Sequence, residues 1–156
     1  MNFQHLIQIN DLNNPMIPFL TRDQVWAGLL HRVEDPIPFL QGLESVTVLE
    51  RHADYLLREL DFGPAVIQDR VTMQQQHWVR FDIIPSEQHA GGSLTITIEE
   101  PEPGSIFLRF AYETTLGLAQ DSEDRAYFDY IRSAYQQSDL DCVRLIRELT
   151  QSARLQ

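Results

Sequence analysis

The chain contains no lysine, because all 12 of its basic side chains are arginine. Without an amine side chain, a Schiff-base lysine and the lysine of a nucleotide-binding P-loop are both excluded. Arginine keeps its charge at any physiological pH and binds carboxylates through a planar fork of donors. A basic group that faces a pocket in this protein is therefore expected to recognise anions rather than to transfer protons.

Cysteine is nearly absent as well, since Cys142 is the single one. It cannot form an internal disulfide, and a reducing cytoplasm is the simplest expected location. No apolar run approaches the roughly 20 residues that cross a bilayer. Residues 1–9 have neither the basic start nor the apolar core of a secretory signal. We therefore expect a cytoplasmic protein without membrane insertion.

Positive charge is scarce relative to negative charge, with 12 basic against 23 acidic residues and a net charge of −11. Such a surface repels phosphate backbones, so no nucleic-acid partner is expected. The five histidines are scattered without metal-ligand spacing, and residues 99–102 are too proline-rich for a calcium loop. We expect neither a metal nor a cofactor.

The length and the hydrophobic fraction of 43% fit one globular domain over residues 1–156. Residues 3–9 alternate apolar and polar side chains, which indicates a strand. Thr21 followed by Gln24 has the spacing of a capping box and predicts a helix from there to about Val33. A short second helix is predicted over residues 36–40.

Between Glu44 and Thr114 the helical period disappears and turn residues separate short strand-like runs. Short connections between neighbouring runs favour an antiparallel meander. The predicted strands are residues 45–51, 55–62, 65–73, 77–84, 93–99 and 105–114.

A long helix is predicted from Ser122, a good N-cap, to about Gln151. A break at Ser138 and Asp139 is one alternative, since these residues could cap a new helix. A sheet with one apolar face and one long amphipathic helix must bury them against each other, which predicts an α+β fold with space left between the two layers. The predicted apolar stripe of this helix consists of Phe128, Ile131, Tyr135, Ser138, Cys142, Leu145 and Leu149.

The chain resembles the START/Bet v 1-like (SRPBCC) superfamily over nearly its whole length, and within it the AtaL-like branch of unknown function. The resemblance implies a helix-grip fold: about seven curved antiparallel strands around a long C-terminal helix. It also implies a function, since members bind lipids, sterols or aromatic polyketides, and some are cyclases or aromatases. It implies no set of catalytic residues. The residues that carry it are Leu20, Thr21, Arg22, Gln24, Trp26, Gly28, Leu29, Arg32, Pro36, Phe39, Arg58, Glu59, Phe62 and Gly63.

The sharpest prediction concerns a hairpin at Gly63 and Pro64, whose residue types suit a two-residue type II′ turn. That turn places Arg58 opposite Asp69 on the more apolar face, which should point inward. The pair is either a salt bridge that closes the core or faces solvent at a sheet margin, or an arginine in a cavity wall that meets an anionic or carbonyl group of a ligand. The same turn places Phe62 opposite Ala65, Leu60 opposite Ile67 and Leu56 opposite Val71.

The following hairpin leaves two alternatives open. A three-residue loop over residues 74–76 keeps His77, Val79 and Phe81 inward, and we favour it because this face is more apolar. A two-residue loop would instead turn Trp78, Arg80 and Asp82 inward.

Alternation in the last strand points Phe110 and Tyr112 inward, where the Tyr112 hydroxyl needs a partner: a ligand, a backbone carbonyl or water. Trp26 is expected in the core and Cys142 as an inert buried thiol. The predicted ligand-cavity residues are Arg58, Asp69, Phe81, Phe110, Tyr112, Ile131 and Tyr135.

These features favour binding of a small hydrophobic metabolite, aromatic or anionic, in an internal cavity. The first alternative is a cyclase- or aromatase-like enzyme that uses Arg58, Asp69 and Tyr112 in the same cavity. The second is a protein-interaction module. The sequence leaves a homodimer open.

Overall fold

A curved antiparallel sheet and a long C-terminal helix form the computed structural model, which describes residues 2–87, 89–114 and 122–153, without the side chains of residues 122–128 and 153. The seven strands of this part of the chain form one sheet in the order β1-β7-β6-β5-β4-β3-β2. Two short segments lie between β1 and β2: the helix α1 and one turn of 3₁₀ helix at Ile37–Phe39. The elements are β1 Asn2–Gln8, α1 Arg22–Glu34, β2 Ser45–Arg51, β3 Leu56–Asp61, β4 Val66–Gln74, β5 Trp78–Ile83, β6 Gly92–Glu102, β7 Ser105–Thr114 and α2 Ser122–Ala153.

This architecture confirms the predicted α+β helix-grip arrangement. The clearest difference in a strand boundary is in β6, which we expected to end at Glu99 but which runs on to Glu102. A register shift between these two residues lets Pro101 lie within the strand, since proline is tolerated where a bulge interrupts the ladder.

Helix α1 begins with the predicted capping box. The Gln24 amide donates to the Thr21 hydroxyl at 3.1 Å, and the Thr21 amide donates to the Gln24 side chain at 2.8 Å. Its buried residues include a charged one, Arg32, which the apolar pattern did not indicate. The others are Val25, Trp26, Gly28, Leu29 and Val33.

Helix α2 runs without interruption through Ser138 and Asp139, so the predicted alternative of a break is wrong. Asp139 is fully buried and bonds to side chains of the sheet, rather than capping a new helix. Leu145 and Leu149 of the predicted stripe are only partly buried against the core, while the side chain of Phe128 and the capping role of Ser122 lie outside the described part. Between residues 129 and 152, the buried residues of α2 are Asp139, Cys142, Val143, Ile146 and Thr150.

The hairpin between β3 and β4 has the predicted register. Gly63 has a φ of +89°, which suits the first central position of a type II′ turn, and the Phe62 amide donates to the Ala65 carbonyl at 2.9 Å. Arg58 consequently lies opposite Asp69, and the Leu60–Ile67 and Leu56–Val71 pairs form as expected.

The hairpin between β4 and β5 has the predicted inward face but a different loop. Gln74 pairs with Trp78, so the loop consists of residues 75–77 and Gln76 takes a φ of 70°. His77 therefore lies in the turn and not on the inward face, which corrects our expectation. Phe81 is buried as predicted.

The two helices approach each other closely where Gly28 of α1 lies against Ile146 of α2. A Cβ atom on Gly28 would lie 2.6 Å from one γ carbon of Ile146 and 2.7 Å from the other. Glycine is therefore required here by space and not by backbone conformation. No helix within the described residues is long and apolar enough to cross a membrane.

We expect Gly28→Ala to lower the free energy of unfolding by about 1–3 kcal/mol, because the added methyl group overlaps Ile146. In the double variant with Ile146→Ala, the loss should be smaller than the sum of the two single losses. Urea unfolding of the four proteins measures this coupling. Strictly additive losses would contradict the close helix approach.

Candidate functional site

A cavity of about 600 Å³ lies between the concave face of the sheet and α2. Its wall is mostly apolar and aromatic, and the β5–β6 connection contributes His89 and Gly91 to its rim. Phe110, which we predicted to line it, is instead fully buried in the core. The other predicted residues all line the cavity: Arg58, Asp69, Phe81, Tyr112, Ile131 and Tyr135.

The Arg58–Asp69 pair is almost completely buried, with side-chain exposures of 2% and 4%. Arg58 donates to both carboxylate oxygens of Asp69, from Nε at 2.9 Å and from Nη2 at 2.5 Å. Its Nη1 donates to the carbonyl oxygens of Val33 at 2.9 Å and Arg32 at 3.4 Å, which belong to the last turn of α1. Because Arg58 donates to both Asp69 oxygens and to the end of α1, few of its N–H groups remain to bind a ligand. This geometry supports the interpretation that the pair closes the core.

We expect Arg58→Ala to lower the free energy of unfolding by about 3–5 kcal/mol, because Asp69 is left as an unpaired buried charge. Replacing both residues, by Arg58→Met with Asp69→Leu, should restore most of that loss. Urea unfolding at neutral pH tests this, with Arg51→Ala as the control because it breaks an exposed ion pair to Glu34. A loss no larger than that of the control would contradict the structural role.

Arg32 presents a second, differently arranged guanidinium to the cavity. The residue is 6% exposed, and its guanidinium carbon lies 5.5 Å from the centre of the Phe81 ring. Its Nη1 has no hydrogen-bond partner among the described residues. Burial lowers the pKa of Arg32, but Cys142, Tyr112 and Asp139 together raise it by more, so the group remains a cation. The cavity therefore contains one saturated arginine, Arg58, and one unsaturated one.

A buried polar network joins β1, β7 and α2 beside Arg32. The Tyr112 hydroxyl donates to Asp139 Oδ1, and His5 Nδ1 lies 2.8 Å from Asp139 Oδ2. Three stacked rings continue the network: the centroids of Tyr112 and Tyr135 are 4.4 Å apart, and those of Tyr112 and Phe3 are 4.9 Å apart. The partner of the Tyr112 hydroxyl is thus the Asp139 carboxylate, and none of the three expected ones: a ligand, a backbone carbonyl or water.

Burial dominates the acid–base properties of this network. It raises the pKa of Asp139, although Tyr112, His5 and Arg32 act in the opposite direction. It also raises the pKa of Tyr112 far above the ordinary value, and the nearby Asp139 adds to this, so the phenol keeps its proton. The Cys142 thiol likewise has a raised pKa through burial and stays protonated. No group of three metal-ligating side chains occurs within the described residues.

Because folding raises the pKa of Asp139, the folded protein holds this proton more tightly than the unfolded chain. The linked stability is present below the ordinary aspartate pKa and is lost as the pH rises through the raised one. We therefore expect Asp139→Asn to gain stability relative to the parent as the pH rises above about 4, by about 1.4 kcal/mol at most for each unit of the pKa change.

The measurement is urea unfolding at several pH values, with Asp129→Asn on the exposed side of α2 as the control. The control should follow the parent at every pH. Parallel curves for Asp139→Asn and the parent would show that Asp139 ionises normally in the fold.

The sequence did not lead us to predict a functional role for three polar residues of this site: His5, Arg32 and Asp139. A signal existed for each. Arg32 follows Leu29 by three residues on the buried stripe of α1, and Asp139 follows Tyr135 by four on α2. His5 alternates with Phe3 on the inward face of β1. A charged residue at the spacing of a buried stripe is thus the informative pattern.

Residues 7–153 match the family described as acetylaranotin biosynthesis cluster protein L, AtaL. No curated protein matches the chain in sequence. Three solved structures similar in fold are Zhui aromatase/cyclase from Streptomyces sp. R1128, the di-domain ARO/CYC StfQ from the steffimycin biosynthetic pathway, and the Aha1 dimer from Colwellia psychrerythraea.

Zhui is 15% identical, with a TM-score of 0.67 over 95% of this chain and 92% of that one. StfQ is 11% identical, with a TM-score of 0.72 over 98% of this chain but 51% of that one. Aha1 is 12% identical, with a TM-score of 0.58 over 90% and 91% of the two chains. At these identities the likeness establishes the Bet v 1-like helix-grip fold alone. By its sequence over residues 7–153, the chain belongs to the AtaL family.

Proposed function

We propose that the protein binds a small hydrophobic ligand, at least partly aromatic, in the cavity between the sheet and α2. The observation that carries this is the cavity itself: about 600 Å³ remains within the fold after the core has packed. Ligand pockets commonly have volumes of 300–1,000 Å³ and a mostly apolar wall with few polar groups. This cavity has both properties.

The aromatic side chains support an aromatic ligand. Phe62 and Phe81 line the cavity on the sheet, and Tyr112 and Tyr135 line it where β7 faces α2. Aromatic rings attract one another in stacked or edge-to-face arrangements beyond the effect of area burial. A planar ligand between these groups would therefore be favoured over an aliphatic one of equal size.

A second candidate function is an enzyme of the cyclase or aromatase kind, which the fold likeness to proteins of that description also suggests. The specific observation in its favour is that Tyr112 lines the cavity while its hydroxyl bonds to the buried Asp139. Proton transfer needs such a group within hydrogen-bond reach of the substrate. Turnover of a bound compound, lost in Tyr112→Phe with binding retained, would favour the enzyme over the carrier.

The binding proposal is tested by native mass spectrometry of the purified protein and by titration with a neutral aromatic probe, 2-naphthamide. Ser138→Phe should reduce the affinity at least tenfold, because Ser138 lines the cavity and the added ring occupies it. The matched control is Gln137→Phe, one residue earlier and exposed. The proposal fails if the parent binds no probe, or if both variants bind equally well.

A homodimer remains a proposal, for which the dimeric Aha1 structure provides a precedent in the same fold. Sedimentation equilibrium at several protein concentrations distinguishes a dimer from a monomer.

A further inference from the structure

We propose that Arg32 is the recognition group of the cavity and that the ligand is a hydrophobic carboxylate whose anionic end binds to it. This rests on the proposed binding function and adds the chemical class of the ligand. The starting observation is that Arg32 is a cation in the cavity wall, only 6% exposed, and that its Nη1 has no hydrogen-bond partner among the described residues.

The other buried polar groups show how unusual this is. The side chains of Asn10, Arg58, Asp69, Asp139 and Thr150 are all hydrogen-bonded within the protein. Among the buried polar residues that the structure describes, only Arg32 has a side-chain nitrogen left without a partner. Buried polar groups are generally satisfied, and a buried charge is satisfied more strictly still.

The buried carboxylates nearby already bind other groups, and Glu113, which also lines the cavity, is exposed and forms no ion pair with Arg32. Asp69 accepts two hydrogen bonds from Arg58, and the carboxylate of Asp139 is shared between Tyr112 and His5. No ion pair joins Arg32 to any carboxylate of the described chain. The Cys142 thiol beside the guanidinium is a weak acceptor and stays protonated. The protein thus supplies the cation and leaves its anion to come from elsewhere.

One other buried polar atom among the described residues lacks a partner, Ser93 Oγ, and Ser93 also lines the cavity. Ser93 lies opposite Asp82 and Glu113, whereas its neighbour Leu94 lies opposite the inward-facing residues Phe81 and Tyr112. Side chains alternate across a strand, so the Ser93 side chain lies on the opposite face of β6 from that of Leu94. Its hydroxyl is neutral and both donates and accepts, whereas the Arg32 guanidinium is a cation that only donates, so a preference for an anion depends on Arg32.

A carboxylate suits this position for two reasons. A guanidinium is planar and weakly hydrated, and its charge-assisted hydrogen bonds to carboxylates are among the stronger ones in proteins. The Arg32 guanidinium also lies over the Phe81 ring, 5.5 Å from its centre, so an aromatic carboxylate would meet a cation and an apolar ring at the same point. The apolar part of the ligand would extend from this point along the wall formed by Leu94 and Ile131.

The test uses two probes of nearly equal shape, 2-naphthoate and 2-naphthamide, titrated into the full chain at neutral pH. The parent protein should prefer the carboxylate by roughly 10- to 100-fold, as expected for a hydrogen bond to a charged group. Arg32→Met should abolish this preference while it keeps the affinity for the amide. Arg144→Gln, an exposed site on α2, is the control for net charge and should behave as the parent does.

The outcomes separate the two proposals. Binding of the amide with no preference for the carboxylate overturns the role of Arg32 and leaves the binding function intact. Absence of binding for both probes overturns the binding function and this inference with it. A preference that survives in Arg32→Met, or that disappears equally in Arg144→Gln, also overturns the role of Arg32.

Thermal unfolding without ligand gives a second, independent measurement. Because Arg32 has an unsatisfied charge-bearing group, the ligand-free Arg32→Met protein should melt at or above the temperature of the parent. Arg32→Gln, which keeps a polar group, serves as the second variant and should lose the carboxylate preference as well. A clear drop in melting temperature for both variants would assign Arg32 a structural role and contradict the proposal.

Discussion

The ion pair between Arg58 and Asp69 determines where α1 lies over the sheet. The Arg58 guanidinium binds the Asp69 carboxylate on the neighbouring strand. Its Nη1 also donates to the carbonyl oxygens of Arg32 and Val33 in the last turn of α1. Breaking such a buried pair is costly, because each partner would remain as an unneutralised charge in a medium of low dielectric constant. The helix end is therefore held at a defined height above the strands. Space between the sheet and α2 persists because Arg58 fixes α1 to the sheet, while the close approach of Gly28 to Ile146 fixes α1 to α2.

The position of Arg32 follows from that attachment. Its own carbonyl accepts from Arg58, while its side chain extends over Phe81 into the cavity. The arrangement combines two buried arginines with opposite roles: one is saturated and supports the fold, and the other has donor capacity that the described residues do not use. Sites that serve binding often retain such locally unfavourable groups, and the surrounding structure compensates for them.

The fold was largely predictable from sequence because its turn residues and the periods of its apolar residues each indicate a particular local structure. Gly63 and Pro64 allow one hairpin geometry, and that geometry set the Arg58–Asp69 register. The glutamine-rich loop after β4 contains no residue that specifies one turn geometry. The loop therefore lies one residue later in the chain than predicted, although the inward face of β5 was predicted correctly. Asp139 was mistaken for a possible cap because its partners, His5 and Tyr112, are 134 and 27 residues away in the chain. Local patterns cannot reveal contacts of that range.

The charged members of the cavity differ in a way that constrains any chemistry there. Asp139 is hydrogen-bonded within the fold, to the phenol of Tyr112 and to His5, and burial raises its pKa. Its carboxylate therefore reaches the cavity only through the Tyr112 hydroxyl, whose proton is directed away from a ligand. Arg32 has no such intermediary. A group that faces the cavity with a free hydrogen-bond donor can bind a ligand directly. A network whose hydrogen bonds are all made within the protein mainly determines the shape of the cavity wall. The geometry thus supports ligand recognition by Arg32 more strongly than catalysis by Tyr112.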